Sequence, residues 1–152
     1  MTKYYLIDTW SGDGYTESGI IGSVDDLGKA IEMAHDEFGD RYLSQFGQFT
    51  VDNQLYGGMS DHRFISYSEE TGQKDSGAIH ILPTDDSTVG ILLEPHVNDA
   101  VALTGDQFTE QFRQILNNID NDEDREGFLQ EMLQVGNSDA HTDNGYFILY
   151  RL

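Results

Sequence analysis

The chain has 152 residues, with 28 Asp plus Glu against 8 Lys plus Arg and a net charge of -20. Such a charge repels nucleic acid and anionic lipid, which sets aside direct nucleic-acid binding, and no run of about 18 apolar residues is present to span a bilayer. Hydrophobic residues at 38% and aromatics at 11% are too many for a disordered acidic tail. A chain of this length buries about 68–70% of its unfolded surface, and a single acidic domain over residues 1–152 is expected.

There is no cysteine, which excludes disulfides and thiolate metal sites and suits a reducing compartment. The opening Met-Thr-Lys-Tyr-Tyr-Leu-Ile-Asp holds no long apolar stretch of the secretory kind. A cytoplasmic location is therefore expected. Salt adaptation would also give an acidic chain, but the Asn, Gln, Tyr and Phe content is ordinary and the acids are unevenly placed.

In chain order, Lys3 to Trp10 reads as a strand rich in aromatic and branched residues. Ser11 to Gly19 reads as a glycine-rich turn, with Ile20 and Ile21 opening a partner strand. Ser23 reads as a helix N-cap, followed by Val24, Leu27, Ile31, Ala34 and Phe38 at helical spacing and a stop at Gly39. Four short strands follow, at 48–56, 63–67, 77–82 and 88–94, each bounded by Gly, Pro, Asp or Ser. The last two, joined by Pro-Thr-Asp-Asp-Ser-Thr, predict a hairpin.

Thr104 with Gln107 three residues on predicts a capping box, opening a helix through Phe108, Phe112, Ile115 and Ile119. A polar run, 117–126, breaks it, and Phe128, Leu129, Met132 and Leu133 mark a second helix that stops near Gly136. Asn144-Gly145 signals a turn before a final strand from Tyr146 to Leu152. An apolar terminal strand is a hazard when unpaired, so pairing of the N- and C-terminal strands is expected. The class predicted is α+β, with a mostly antiparallel sheet and about three helices.

The acids occupy most of the chain. Residues 1–40 carry nine acids and two bases, 77–110 six acids and no base, and 111–152 eight acids and three bases. In the first predicted helix, Asp25, Glu32, Asp36 and Asp40 fall at spacings that place them on one side. Four residues of helix rise about 6 Å, and two phosphate steps of one DNA strand rise about 6.8 Å. A carboxylate row on a rigid helix can thus approximate a phosphate row, and arginine forks pair carboxylates as they pair phosphates.

A second acidic group is Asp120, Asp122, Glu123 and Asp124. With Glu131 at the twelfth position, Asp120, Asp122 and Asp124 resemble the ligand spacing of an EF-hand calcium loop, which lies between two helices. The stretch departs from that pattern at Arg125, where a glycine is needed, and at Gly127, normally a branched apolar position. The alternative reading is a helix connection whose acids favour the start of the next helix.

The five histidines show no metal-ligand spacing. His80, in an apolar strand, reads as a satisfied structural residue. Asp61-His62-Arg63 and Asp139-Ala140-His141 are the nearest approaches to acid–base pairs, and no nucleophile accompanies either. Gly12-Asp13-Gly14 reads as a turn, since its acid would repel a phosphate. Trp10 and Tyr15 beside acids suit contact with an arginine-rich surface, or core packing for Trp10.

No enzyme, cofactor or metal is expected. The expected function is that of a small acidic inhibitor, a phage or mobile-element product. It would bind a basic nucleic-acid-handling protein, such as a restriction or CRISPR-type effector, and block its DNA- or RNA-binding groove by mimicry. Antirestriction and anti-CRISPR DNA mimics share this composition. The expected contact residues are Asp25, Glu32, Asp36, Asp40, Asp120, Asp122, Glu123 and Asp124. The alternatives are an immunity protein that neutralises a cognate nuclease toxin and a calcium-binding module using residues 120–131.

Overall fold

The structure, a computed structural model, describes residues 2–12, 15–38, 50–55, 63–68, 76–97 and 99–152. It is α+β, with three helices and two antiparallel sheets among the described residues. The chain divides into two compact units, Met1–Asp86 and Ser87–Leu152.

The first unit holds β1 (Lys3–Gly12), β2 (Tyr15–Val24), α1 (Leu27–Phe38), β3 (Thr50–Leu55), β4 (Arg63–Ser68) and β5 (Ser76–Thr84). Its sheet has the order β2-β1-β5-β4-β3. Register places Leu6 opposite Ile81 and Asp8 opposite Ile79, so Leu6, Ile79 and Ile81 share one face. Ala30 and Ala34 of α1 pack there and are fully buried; their small side chains let the helix come close to the strands. The opposite face carries Ile7, Thr9, His80 and Leu82, all without solvent exposure. Thr9 Oγ1 and His80 Nε2 lie 2.8 Å apart in a hydrogen bond, so His80 is the satisfied structural residue that its strand position predicts.

The helix start differs from the expectation. Ser23 and Val24 are the last residues of β2, opposite Tyr5 and Tyr4. The N-cap is Asp26, whose Oδ2 accepts from Lys29 N at 3.0 Å. Both Ser and Asp suit a cap, and the ladder to β1 claims Ser23.

The second unit holds β6 (Thr88–Glu94), a 3₁₀ turn (Pro95–Val97), β7 (Asp99–Thr104), α2 (Gly105–Asn118), α3 (Asp122–Gln134), β8 (Asn137–Thr142) and β9 (Gly145–Arg151). The sheet order is β7-β6-β9-β8. Both helices cover one face, where Phe108, Ile115, Ile119, Phe128 and Met132 pack with Leu103 and Leu149. The Phe112 and Phe128 rings meet at 5.6 Å. Gln107 Oε1 accepts from Thr104 N at 2.9 Å, the capping bond expected at this position. At the far end of α3, Val135 N and Gly136 N both reach Glu131 O, and Gly136 takes φ +86°, a conformation that favours glycine.

Two expected pairings are corrected. β1 and β9 belong to different sheets, so the terminal strands do not pair. β5 and β6 do not form a hairpin: β5 lies between β1 and β4, and β6 between β7 and β9. Each is an interior strand with hydrogen-bond partners on both sides, which is why each reads as a continuous apolar run. No helix among the described residues is long and apolar enough to cross a membrane.

Gly90 is the most closely packed of the described glycines. A Cβ there would lie 2.7 Å from Phe108 Cε2 and 2.7 Å from the Tyr150 carbonyl oxygen. Gly90→Ala is expected to cost about 1–3 kcal/mol through forced displacement of the Phe108 ring and of the Tyr150 backbone. Chemical denaturation checks this; an unchanged midpoint would show that ring and strand both move without penalty.

Candidate functional site

The joint between α2 and α3 is three residues long and is held from both sides. Asn121 caps α3: its Oδ1 accepts from Glu123 N at 2.7 Å and from Asp124 N at 3.3 Å. Asp122, Glu123 and Asp124 fill the first turn of α3, where the exposed N–H groups and the helix dipole favour negative charge. Arg125 reaches back to α2. Its Nε donates to Leu116 O at 3.1 Å and its Nη2 to Ile119 O at 2.7 Å, while Nη1 donates to Asp122 Oδ1 at 3.0 Å. Carbonyls at a helix C-terminus lack intrahelical donors, and the guanidinium supplies them.

This geometry ends the resemblance to a calcium loop. Residues 122–131 are helix, so their side chains radiate about an axis instead of converging on an ion. Arg125, the departure from the loop pattern, is the residue that clamps the two helices.

The predicted row of the first unit is also altered. Asp25 precedes the cap and lies outside α1, whereas Glu32 and Asp36 sit one turn apart on its exposed side. Asp40 lies outside the described residues.

The second acidic group borders a groove of about 440 Å³ between α3 and β8. Ile119, Phe128 and Ala140 give it an apolar floor, and all three are buried. Along α3 the groove is flanked by Glu123, Asp124 and Glu131, which are exposed and make no ion pair with a described cation. Asp120 and Asp122 are exposed beside it but do not line it. Sequence reasoning reached Glu131 only as a calcium ligand; its helical spacing from Asp124, seven residues, places both on one face.

The other wall is β8, an edge strand. Register sets Asp139, His141 and Tyr146 on the sheet face away from Ala140. The Tyr146 hydroxyl donates to Asp139 Oδ2 at 2.8 Å. His141 stacks on the Tyr146 ring at 4.4 Å, and His96 meets the same ring edge-on at 5.6 Å. Burial, then the hydrogen bond and charge of Asp139, push the Tyr146 phenol well up, so it stays a donor. Asp139 and His141 therefore each serve Tyr146 and form no acid–base couple with each other.

The three arginines of Ser87–Leu152 face twelve acids, and each is engaged within the fold. Arg113 bonds Glu110, and with Gln114 it holds the Glu110 carboxyl below its ordinary value. Arg125 clamps the helix joint. The Arg151 guanidinium lies over the Phe108 ring at 5.6 Å. No family model, curated protein or solved structure matches the chain.

Two measurements test this account. Arg125→Met keeps the stem and removes three donated hydrogen bonds; it is expected to cost about 1–3 kcal/mol in chemical denaturation. Glu94 stands opposite Asp99 across β6 and β7. Burial raises its pKa above 4.5, Asp99 raises it further, and His96 opposes them. Folding thus favours the neutral acid, and ionised Glu94 costs stability at neutral pH. Glu94→Gln is expected to raise the melting temperature at pH 7, with the gain vanishing as pH falls below 4.5. A gain that persists in acid would assign the effect to packing.

Proposed function

We propose that the protein is a stoichiometric inhibitor that binds a basic nucleic-acid-handling protein, of the restriction or CRISPR-effector kind, and occupies its DNA- or RNA-binding groove. The observation that carries this reading is the use of cations in the second unit. Twelve acids meet three arginines, and all three arginines are committed to structure. The α3 carboxylates other than Asp122, which pairs with Arg125, are thus presented to a partner without a described cation beside them. Such a surface steers association with a cationic protein and makes the complex sensitive to salt. Inhibition proceeds by occupancy, with no turnover. A phage or mobile element is the natural source of such an inhibitor, and the cytoplasm, where such effectors act, is its place of action.

Capture from lysate with the chain as bait, eluted by a salt gradient, tests the reading. The expected partner is a basic nucleic-acid-binding protein, released by salt and displaced by added DNA. Asp124→Lys with Glu131→Lys is expected to weaken capture by about tenfold or more, since each reversal adds repulsion at a carboxylate that meets the partner. Glu32→Lys with Asp36→Lys compares the α1 surface. A partner indifferent to both pairs and to salt would sink the proposal.

A further inference from the structure

The groove beside β8 has a feature that mimicry alone does not need: one wall is a strand edge with no strand paired beyond it among the described residues. Arg151 N donates to Gly136 O at 2.8 Å, one step past the β8–β9 ladder. Hydrogen-bonded pairs alternate in an antiparallel ladder, so Ser138, Ala140 and Thr142 turn their backbone groups to β9. Asp139 and His141 turn theirs outward. β8 ends the sheet, and both residues line the groove.

Gly127 gives a second sign. It lies mid-helix in α3, on the groove, and a Cβ added there would meet nothing within 4 Å. Its φ is not in the left-handed region, so neither packing nor backbone conformation calls for glycine. Glycine inside a helix is nonetheless costly relative to alanine. What glycine provides here is room on the groove side of the helix.

Resting on the reading of α3 as partner-facing, we propose that the groove takes an extended, arginine-bearing segment of the partner, added as a strand along the open edge of β8. Main-chain hydrogen bonds to Asp139 and His141 would set its register, as in other strand additions. Side chains of a strand alternate between faces. One set would run past Gly127 over Phe128 and Ala140, arginine stems on the apolar floor and guanidinium groups at Asp124 and Glu131. The other set would meet Asp139 and the His141 and Tyr146 rings, which suit a guanidinium by charge and by stacking. The groove volume, about 440 Å³, lies within the range of roughly 300–1,000 Å³ that ligand clefts take.

The probe is the peptide Thr-Arg-Val-Arg-Val-Thr, titrated into the isotope-labelled chain at low salt and followed by amide shifts and hydrogen exchange. Saturable shifts at Gly127, Ala140 and His141 are expected, with protection of the His141 amide. Asp139→Pro deletes one outward N–H at an edge position, where proline is tolerated. It should weaken the peptide by about tenfold more than Asp139→Ala, which likewise lacks the carboxylate that Tyr146 bonds but keeps the N–H. Should the proline variant fail to fold, Gly127→Leu carries the test: it is expected to melt no lower than the parent and to lose the peptide. Equal effects of Asp139→Pro and Asp139→Ala, binding retained in Gly127→Leu, or shifts spread over every exposed acid would overturn strand addition. Lysate capture would still report on the acidic surface independently. A dimer of the chain alone, with His141 protected before peptide is added, would assign the edge to a second copy and overturn the proposal.

Discussion

The second unit depends on how Arg125 is used. Helices α2 and α3 meet at a three-residue joint, and such a joint leaves carbonyls at one helix end and N–H groups at the next without partners. Asn121 answers the N–H groups. Arg125 answers the carbonyls of Leu116 and Ile119 and ties itself to Asp122. With both ends satisfied, the two helices can turn sharply and lay Ile119 and Phe128 onto one sheet face. A chain with so few cations places one of them here, where the guanidinium's several N–H donors meet two helix-end carbonyls and a carboxylate at once.

The same scarcity shapes the surface. Arg113 and Arg151 are also engaged, one on its own helix and one over an aromatic ring. The acids of α3 gain from the helix dipole at its start, which offsets part of their mutual repulsion. Glu94 opposite Asp99 lies away from any α-helix start, and burial and that neighbour push its carboxyl up against the opposing pull of His96. The unit thus tolerates local electrostatic cost at some positions while keeping α3 strongly anionic.

The sequence made the elements that carry local signals readable. Thr104 with Gln107 marked the start of α2, and the run Thr88–Glu94 marked β6, because capping pairs and apolar runs are local chemistry. Pairing was less readable. The strands at 77–82 and 88–94 looked like a hairpin since both are apolar and adjacent, yet each is interior to a different sheet. An apolar run shows that a strand is interior, but not which strands lie on either side of it. β7, with its alanines, and β8, polar along Asn137–Thr142, carry no strand signal, because small and polar residues give strands no hydrophobic signature. Ser23 and Asp26 both suit a cap, and only the ladder to β1 distinguishes them.

The candidate site followed the same division. Glu123 and Asp124 were legible from charge, and their exposure on α3 follows from the helix start. The groove itself depends on α3 lying against the edge of β8, which no spacing announces. Gly127 is a departure from the calcium-loop pattern, and within a helix it is a costly residue with nothing packed upon it. Position 127 therefore separates stability from binding. A larger side chain there favours the helix, and it fills the only stretch of the α3 wall from which a side chain is absent. A fold selected for stability alone would fill that position, and one that admits a partner segment keeps it open.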